Sequence, residues 1–191
     1  MAAKRRRKSK QPQTFTGAAQ ALTLTLVEDL LQRAEQPSIA RALELRYRRE
    51  KDAKRTGQVF SQWRRLALTQ VAAGWVLSCT FVRTLEDRGL VQHLRIASQD
   101  GSALDSQRRF EELFPFLGPA DYLLAVFGEL ARFPGLAAVF DKRHNPVWHL
   151  APSPAAAGQL LDFFRARVSA TEEEEGQASD TAPLLWSFAV D

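Results

Sequence analysis

The sequence feature that most constrains the fold is a long helical pattern between residues 61 and 87. Its middle is apolar nearly all the way round, and the apolar set is Trp63, Leu66, Val71, Trp75, Val76, Leu77, Phe81, Val82 and Leu85. Because a helix that is apolar on every side is packed on every side, the pattern predicts a central helix enclosed by the rest of the domain. Trp75 and Phe81 are then expected to be buried core anchors, and Gly89 is expected to end the helix in a left-handed conformation.

Shorter helical patterns flank this stretch, at about residues 17–34, 39–55, 104–113, 120–132 and 154–168. Proline and glycine residues separate them, and Ser38 and Ser153 are each placed to cap the helix that follows. No run of alternating apolar residues is long enough to form a sheet. The sequence therefore predicts an all-α fold, a single helical domain of about six helices around the buried central one.

The composition of the chain changes along its length and predicts four parts. Residues 1–16, rich in lysine, arginine, glutamine and serine, are expected to be a disordered basic tail. The helical domain is expected over residues 17–168. Residues 169–182 contain four consecutive glutamates and are predicted to be an acidic linker, and residues 183–191 are predicted to start a further apolar segment.

Size, cysteine content and hydropathy indicate a folded cytoplasmic protein. The chain has 191 residues, which suits one domain with tails. Its one cysteine, Cys79, excludes a disulfide framework and is expected to lie in the core of a protein from a reducing compartment. No apolar stretch follows the basic residues 4–8, and the central stretch contains polar residues and is flanked by arginines, so no signal peptide or membrane span is predicted.

The positive charge of the chain is concentrated at its N-terminal end. Residues 1–65 carry 16 lysines and arginines against 6 acidic residues, whereas residues 66–191 carry 10 against 16. Such asymmetry favours a polyanion partner such as double-stranded DNA. The candidate phosphate-binding residues are Lys4, Arg5, Arg6, Arg7, Lys8 and Lys10 in the tail and Arg48, Arg49, Lys51, Lys54 and Arg55 on the second helix. The alternative for both groups is a solvated surface that only aids solubility.

No constellation of residues predicts catalysis or metal binding in this chain. The three histidines, His93, His144 and His149, are too scattered for a metal site. The stretch from Asn145 to Trp148 resembles the Asn-Pro-Pro-aromatic motif of amino-group DNA methyltransferases, but valine replaces the second proline, and the stretch is expected to be a turn anchored by Trp148. No catalytic residue, metal ligand or cofactor-binding residue is therefore assigned.

The acidic pair Glu86-Asp87 ends the central helical pattern. Paired carboxylates can serve acid–base chemistry. The neighbouring arginines favour a structural role instead. We expect the two carboxylates to bind nearby backbone or to pair with Arg83 or Arg88.

Four segments resemble, in order, motifs of one protein family: residues 75–90 (WVLSCTFVRTLEDRGL), 121–127 (DYLLAVF), 140–150 (FDKRHNPVWHL) and 153–164 (SPAAAGQLLDFF). The family is that of the PglX-like adenine-specific DNA methyltransferases of phage-exclusion (BREX) systems, and the segments resemble its N-terminal helical region. The resemblance covers roughly residues 41–190. Each segment alone is a weak signal, whereas the ordered set is specific.

The resemblance implies a non-catalytic helical domain of a PglX-like adenine-N6 methyltransferase. In that family S-adenosylmethionine and the catalytic motif belong to a part of the protein that lies beyond this region. The expected partners are double-stranded DNA, the methyltransferase catalytic domain or other phage-defence proteins. The alternative is a stand-alone basic helical module that binds DNA or another defence-system protein.

Overall fold

The computed structural model describes residues 14–167 and 183–188, and this part of the chain is all-α, as the sequence predicts. Its elements are α1 (Phe15–Arg33), α2 (Pro37–Asp52), α3 (Phe60–Asp87), α4 (Ser102–Leu113), α5 (Pro119–Leu130), α6 (Ala137–Phe140), a 3-10 turn (Pro146–His149) and α7 (Pro154–Arg165). The described residues thus form seven helices, and about six were expected. Their only β-type pairing is an isolated bridge between Arg167 and Leu184.

Helix α3 is the centre of the domain, and α1, α2, α7 and the 3-10 turn pack against it. The Trp75 side chain is fully buried, and its indole Nε1 donates a hydrogen bond to the Leu150 carbonyl oxygen at 3.1 Å. Its ring lies 5.7 Å from that of Phe127, which stacks in turn on Phe140. The prediction that Trp75 anchors the core is confirmed.

The prediction that α3 is enclosed on every side is wrong. Leu66, Leu77 and Phe81 are 48%, 66% and 36% exposed, so Phe81 is only partly a core residue. The packed elements cover one side of α3 and leave a lengthwise stripe open to solvent. Helix α3 is also the one helix among the described residues whose length and composition would let it cross a membrane, and half of its most apolar window is buried inside the domain.

Three helix ends show which local signals determined them. Helix α1 begins at Phe15, inside the predicted tail, because Thr14 accepts the amide of Gly17 at 3.2 Å and Phe15 packs on Phe163. Helix α2 begins at Pro37, whose fixed φ suits a first helical position, so Ser38 lies inside the helix and does not cap it. Ser153 caps α7 as predicted, accepting the amide of Ala156 at 3.2 Å.

Candidate nucleic-acid interface

The candidate phosphate-binding residues of the second helix lie on α2 and in the turn that follows it, and all are exposed: Arg48, Arg49, Lys51, Lys54 and Arg55. Leu43 and Tyr47 are buried and hold α2 against the domain, which leaves the charged side chains on the outer surface. Because successive residues are about 100° apart around a helix, the set surrounds the outer half of α2 and does not form a single row. We call this set the α2 basic surface.

Two cations of the α2 basic surface have carboxylate partners. Arg48 Nη2 lies 2.7 Å from Glu44 and Arg55 Nε lies 3.1 Å from Glu50. Such exposed pairs contribute little energy and can be exchanged for a phosphate contact. Arg49 makes no ion pair within the described part of the chain.

The charge of α2 and its following turn remains positive after this pairing. Residues 37–55 contain seven cations and three carboxylates. Lys54, at the end of the helix, has a φ of 55°, a left-handed conformation that turns the chain sharply there. The arrangement therefore suits contact with phosphate groups, which carries no base information.

The structure also identifies Arg46, which the sequence analysis did not select as a site residue. Its side chain is half-buried, and its guanidinium carbon lies 5.7 Å from the Trp63 ring centroid. Arg46 follows Leu43 by three positions and directly precedes the buried Tyr47. That spacing places Arg46 on the inner edge of α2. The same spacing, read from the sequence, could have separated Arg46 from the other cations of the helix.

The remaining candidate phosphate-binding residues belong to the N-terminal tail. They are Lys4, Arg5, Arg6, Arg7, Lys8 and Lys10, and they lie outside the described residues. Residues 169–182, the predicted acidic linker, lie outside them as well. Their contribution to an interface therefore stays a prediction.

The Asn145 side chain fixes a turn against α3. Its Nδ2 donates to Ser78 Oγ at 2.8 Å and to the Val139 carbonyl at 3.0 Å, and its Oδ1 accepts the amide of Val147 at 3.0 Å. The residue is buried and each of its polar atoms is engaged by the protein itself. In this arrangement Asn145 does not fit the role of holding an adenine amine.

Trp148 completes the same turn, as the sequence predicts. Its Nε1 donates to the Phe140 carbonyl oxygen at 2.9 Å, and the Lys142 ammonium lies 5.0 Å from its ring centroid. The indole is therefore held at its Nε1 by backbone and covered on a ring face by a cation. The stretch is a structural turn that attaches α6 and the 3-10 turn to the core.

The Glu86 carboxylate organises the loop that follows α3. It is buried, and its oxygens accept the amides of Arg95, Ile96 and Ala97 at 2.6, 2.8 and 3.3 Å. Arg83 Nη1 lies 3.4 Å from the same carboxylate and donates to the Ala97 carbonyl at 3.1 Å. The expected binding of backbone and of Arg83 is confirmed, and it reaches a loop about ten residues away in sequence.

Asp87 and Arg83 connect the same cluster to residues 183–188. Arg83 Nη2 lies 2.8 Å from the Asp87 carboxylate and donates to the Trp186 carbonyl at 3.2 Å. Asp87 in turn accepts the amide of Phe188 at 2.9 Å. The described part of the predicted further segment thus lies against the helical domain.

Two other titratable groups of the described residues are held by their surroundings in the fold. Burial, with a smaller contribution from the charge of Glu86, raises the pKa of the Cys79 thiol, which keeps it protonated. Hydrogen bonds from the His144 side chain and backbone hold the pKa of Asp141 below its ordinary value. No group of three or more potential metal ligands occurs among residues 14–167 and 183–188.

Comparison with known proteins confirms the resemblance carried by the sequence motifs. The chain is 30% identical over 126 residues to the adenine-specific methyltransferase PglX of Streptomyces coelicolor. The aligned part is 64% of this chain, and the chain spans about a tenth of the length of that relative. No family model matches the chain. No solved structure matches it either. The similarity supports a methyltransferase-associated role.

Proposed function

We propose that this chain is a non-catalytic helical domain that acts with the methylating part of a PglX-like DNA adenine-N6 methyltransferase in a phage-exclusion system. The observation that carries the proposal is the similarity to PglX over 126 residues, which is a tenth of that relative. A match to so small a part of a long enzyme suits a domain that supports the reaction performed by the rest. The proposed site of action is the cytoplasm.

The side-chain contacts of the domain support a structural role. Asn145 is buried and fully engaged by the protein, and the carboxylate of Glu86 is committed to three loop amides. Neither group is free to act on a base. In this proposal S-adenosylmethionine and the chemistry of methyl transfer therefore belong to the methylating part of the larger enzyme.

The α2 basic surface supports a contact with DNA. Its cations are exposed on the outer side of a helix whose inner side is anchored by Leu43 and Tyr47. A rigidly held cluster of cations contacts phosphates without ordering a flexible segment first. The domain would thereby hold the duplex beside the methylating part and leave base recognition to that part.

The second candidate function is a stand-alone module that binds DNA or another defence-system protein. The observation that favours it is the large core of the described residues, which brings together α1, α2, α3, α5 and α7. A domain with its own core does not need a covalent link to an enzyme. The two candidates differ in whether a methyltransferase polypeptide accompanies the chain.

An affinity experiment separates the two functions. The full chain, tagged and expressed in the cells it comes from, is expected to retrieve a PglX-like methyltransferase polypeptide, identified by mass spectrometry. Retrieval of DNA or other defence proteins without a methyltransferase would support the stand-alone module. The same purified chain is expected to show no methyl transfer to DNA and no micromolar affinity for S-adenosylmethionine by calorimetry. Either activity would contradict a non-catalytic role.

A further inference from the structure

An uncharged stripe runs along the solvent side of α3. Its members are Leu66, Gln70, Ala73, Leu77, Thr80, Phe81 and Thr84. No charged residue occurs on α3 between Arg65 and Arg83. The hydroxyls of Thr80 and Thr84 donate to carbonyls one turn earlier, each at 2.8 Å, so the helix itself satisfies them. We call this set the α3 stripe.

The α3 stripe from Gln70 to Thr84 forms one side of an open groove of about 860 Å³, and Leu66 extends the stripe beyond the groove lining. The other side comes from α6 and the 3-10 turn, including Val139 and Pro146. Leu77 and Val139 face this groove with 66% and 39% of their surfaces exposed. From Gln70 to Thr84 the stripe borders the groove for about 21 Å at 1.5 Å per residue. These dimensions and this apolar character match the binding of one amphipathic helix in a groove.

Arg46 gives the groove a charge at one end. The guanidinium is half-buried over Trp63 and forms no ion pair within the described residues. His149 lines the same groove, where burial and then the charge of Arg46 lower its pKa. No carboxylate occurs among the described residues that line the groove. A half-buried cation without a counter-ion favours an occupant that supplies an acidic side chain.

We propose that the α3 stripe docks an amphipathic helix of the methylating polypeptide, with an aspartate or glutamate of that helix opposite Arg46. The identity of the polypeptide rests on the proposed function, whereas the form and charge of the occupant follow from the groove. Apolar side chains at three- and four-residue spacing would cover Leu66, Leu77 and Phe81. The charge pair would fix the direction of the helix in the groove.

The first test compares two leucines that have the same exposure. Leu77 on the stripe and Leu24 on α1 are each 66% exposed, so glutamate at either position should leave the fold intact. In the affinity experiment the Leu77→Glu chain is expected to retrieve at least tenfold less methyltransferase than wild type does. The Leu24→Glu chain is expected to retrieve as much as wild type. Equal retrieval by wild type and Leu77→Glu overturns the docking site while leaving the proposed function in place. No retrieval by wild type contradicts the proposed function itself.

The second test decides the docking site independently of retrieval. Overlapping peptides of about 20 residues, enough for a helix as long as the stripe, cover the Streptomyces coelicolor PglX sequence and are probed with the full chain. We expect an amphipathic, acidic peptide to bind, and we expect Leu77→Glu to lower the affinity of the chain for that peptide at least tenfold. Arg46→Glu should lower the affinity for the same peptide. A peptide that carries lysine in place of its acidic residue should bind the Arg46→Glu chain again. Absence of any Leu77-dependent peptide overturns the proposal.

Two further experiments test whether a lipid surface or a second copy of the chain occupies the groove instead. Leu77-dependent sedimentation of the chain with phosphatidylcholine–phosphatidylglycerol vesicles would assign the stripe to a lipid surface and overturn the proposal. A Leu77-dependent rise of molar mass with concentration in analytical ultracentrifugation would assign it to a second copy of the chain, with the same consequence. We expect neither.

Discussion

Gly74 of α3 and Pro146 of the 3-10 turn lie so close that a Cβ atom on Gly74 would come within 2.6 Å of Pro146 Cγ. That distance is well inside van der Waals contact, so the turn can approach α3 this closely only because position 74 has no side chain. The contact seats the turn whose Asn145 bonds to Ser78, one helical turn further along α3. Glycine in the middle of a long helix is thus explained by packing and not by helix propensity.

Gly74→Ala is expected to destabilise the domain by about 1–3 kcal/mol, because the added methyl group must displace Pro146 or the turn that carries it. Urea unfolding followed by circular dichroism measures the change. Gly158→Ala on α7 is the matched control, since nothing lies within 4 Å of a Cβ there. That variant should gain about 0.5–1 kcal/mol from improved helix propensity. Equal behaviour of the two variants would show that the close contact with Pro146 carries no energy.

Glu86→Gln is expected to cost about 3–5 kcal/mol, because it removes the buried negative charge that Arg83 and three loop amides face, leaving Asp87 as the remaining carboxylate on Arg83, and turns an amide donor toward those amides. Asp105→Asn is the control for loss of an ion pair in an exposed setting, since Asp105 pairs with Arg108 at 3.6 Å on the surface of α4. It should change the free energy of unfolding by less than about 1 kcal/mol. Denaturant unfolding of the two variants measures both changes in the free energy of unfolding. A small cost for Glu86→Gln would mean that water takes the place of the carboxylate.

Local sequence signals predicted much of this fold. The extent of α3, the left-handed Gly89 at its end and the Ser153 cap of α7 depend on residues a few positions apart. The pairing of Glu86 and Asp87 with Arg83 also follows from neighbours on one helix.

What the sequence did not predict depends on contacts between distant segments. Phe81 follows the same apolar pattern as Trp75, but none of the described elements packs over it from the solvent side, and it is 36% exposed. Phe15 is helical because Phe163 and Phe188, far along the chain, pack against it. The position of Arg46 over Trp63 likewise requires the packing of α2 on α3, which composition alone does not fix.

Trp75→Ala is expected to cost about 3–5 kcal/mol, because it leaves a cavity beside Phe127 and frees the Leu150 carbonyl. Phe81→Ala should cost about 1–2 kcal/mol, since over a third of that side chain is already in water. Thermal melts of the two variants test this order. A melt of Trp75→Ala that is unchanged from wild type would mean that the core lies elsewhere.

Tyr122 makes the stability depend on pH in the alkaline range. Burial raises its pKa to about 12, and its hydroxyl donates to the Arg95 carbonyl oxygen at 2.7 Å. The folded state therefore holds the phenol proton more tightly than the unfolded state does. The resulting stability is fully present below the ordinary tyrosine pKa of about 10 and is lost as the pH rises through about 12.

Tyr122→Phe removes this pH dependence. The free energy of unfolding of wild type should fall more steeply than that of the variant between about pH 10 and pH 12. Parallel urea titrations across this range measure the two slopes. Identical slopes would contradict the raised pKa of the phenol.

The last prediction concerns DNA binding by the full chain. If the α2 basic surface and the tail together neutralise about six phosphates, log affinity should fall against log salt with a slope near −5. Fluorescence anisotropy with duplexes of unrelated sequence measures the slope, and affinity should depend little on sequence because phosphate contacts carry no base information. Removal of residues 1–10 should flatten the slope and lower the affinity for every duplex by a similar factor.

The helical contribution is tested by Arg49→Gln combined with Lys54→Gln, which should reduce the magnitude of the slope by about 2. The control combines Arg108→Gln with Arg109→Gln, two exposed cations on α4, which packs on α5. The control should leave the slope unchanged if contact is made by α2, whereas equal effects of both pairs would indicate a diffuse response to net charge. Phosphate contacts are strong at a low salt concentration of about 50 mM. Absence of binding there would contradict a DNA-binding role of the isolated chain. Its cations would then be a solvated surface or contacts to a protein partner.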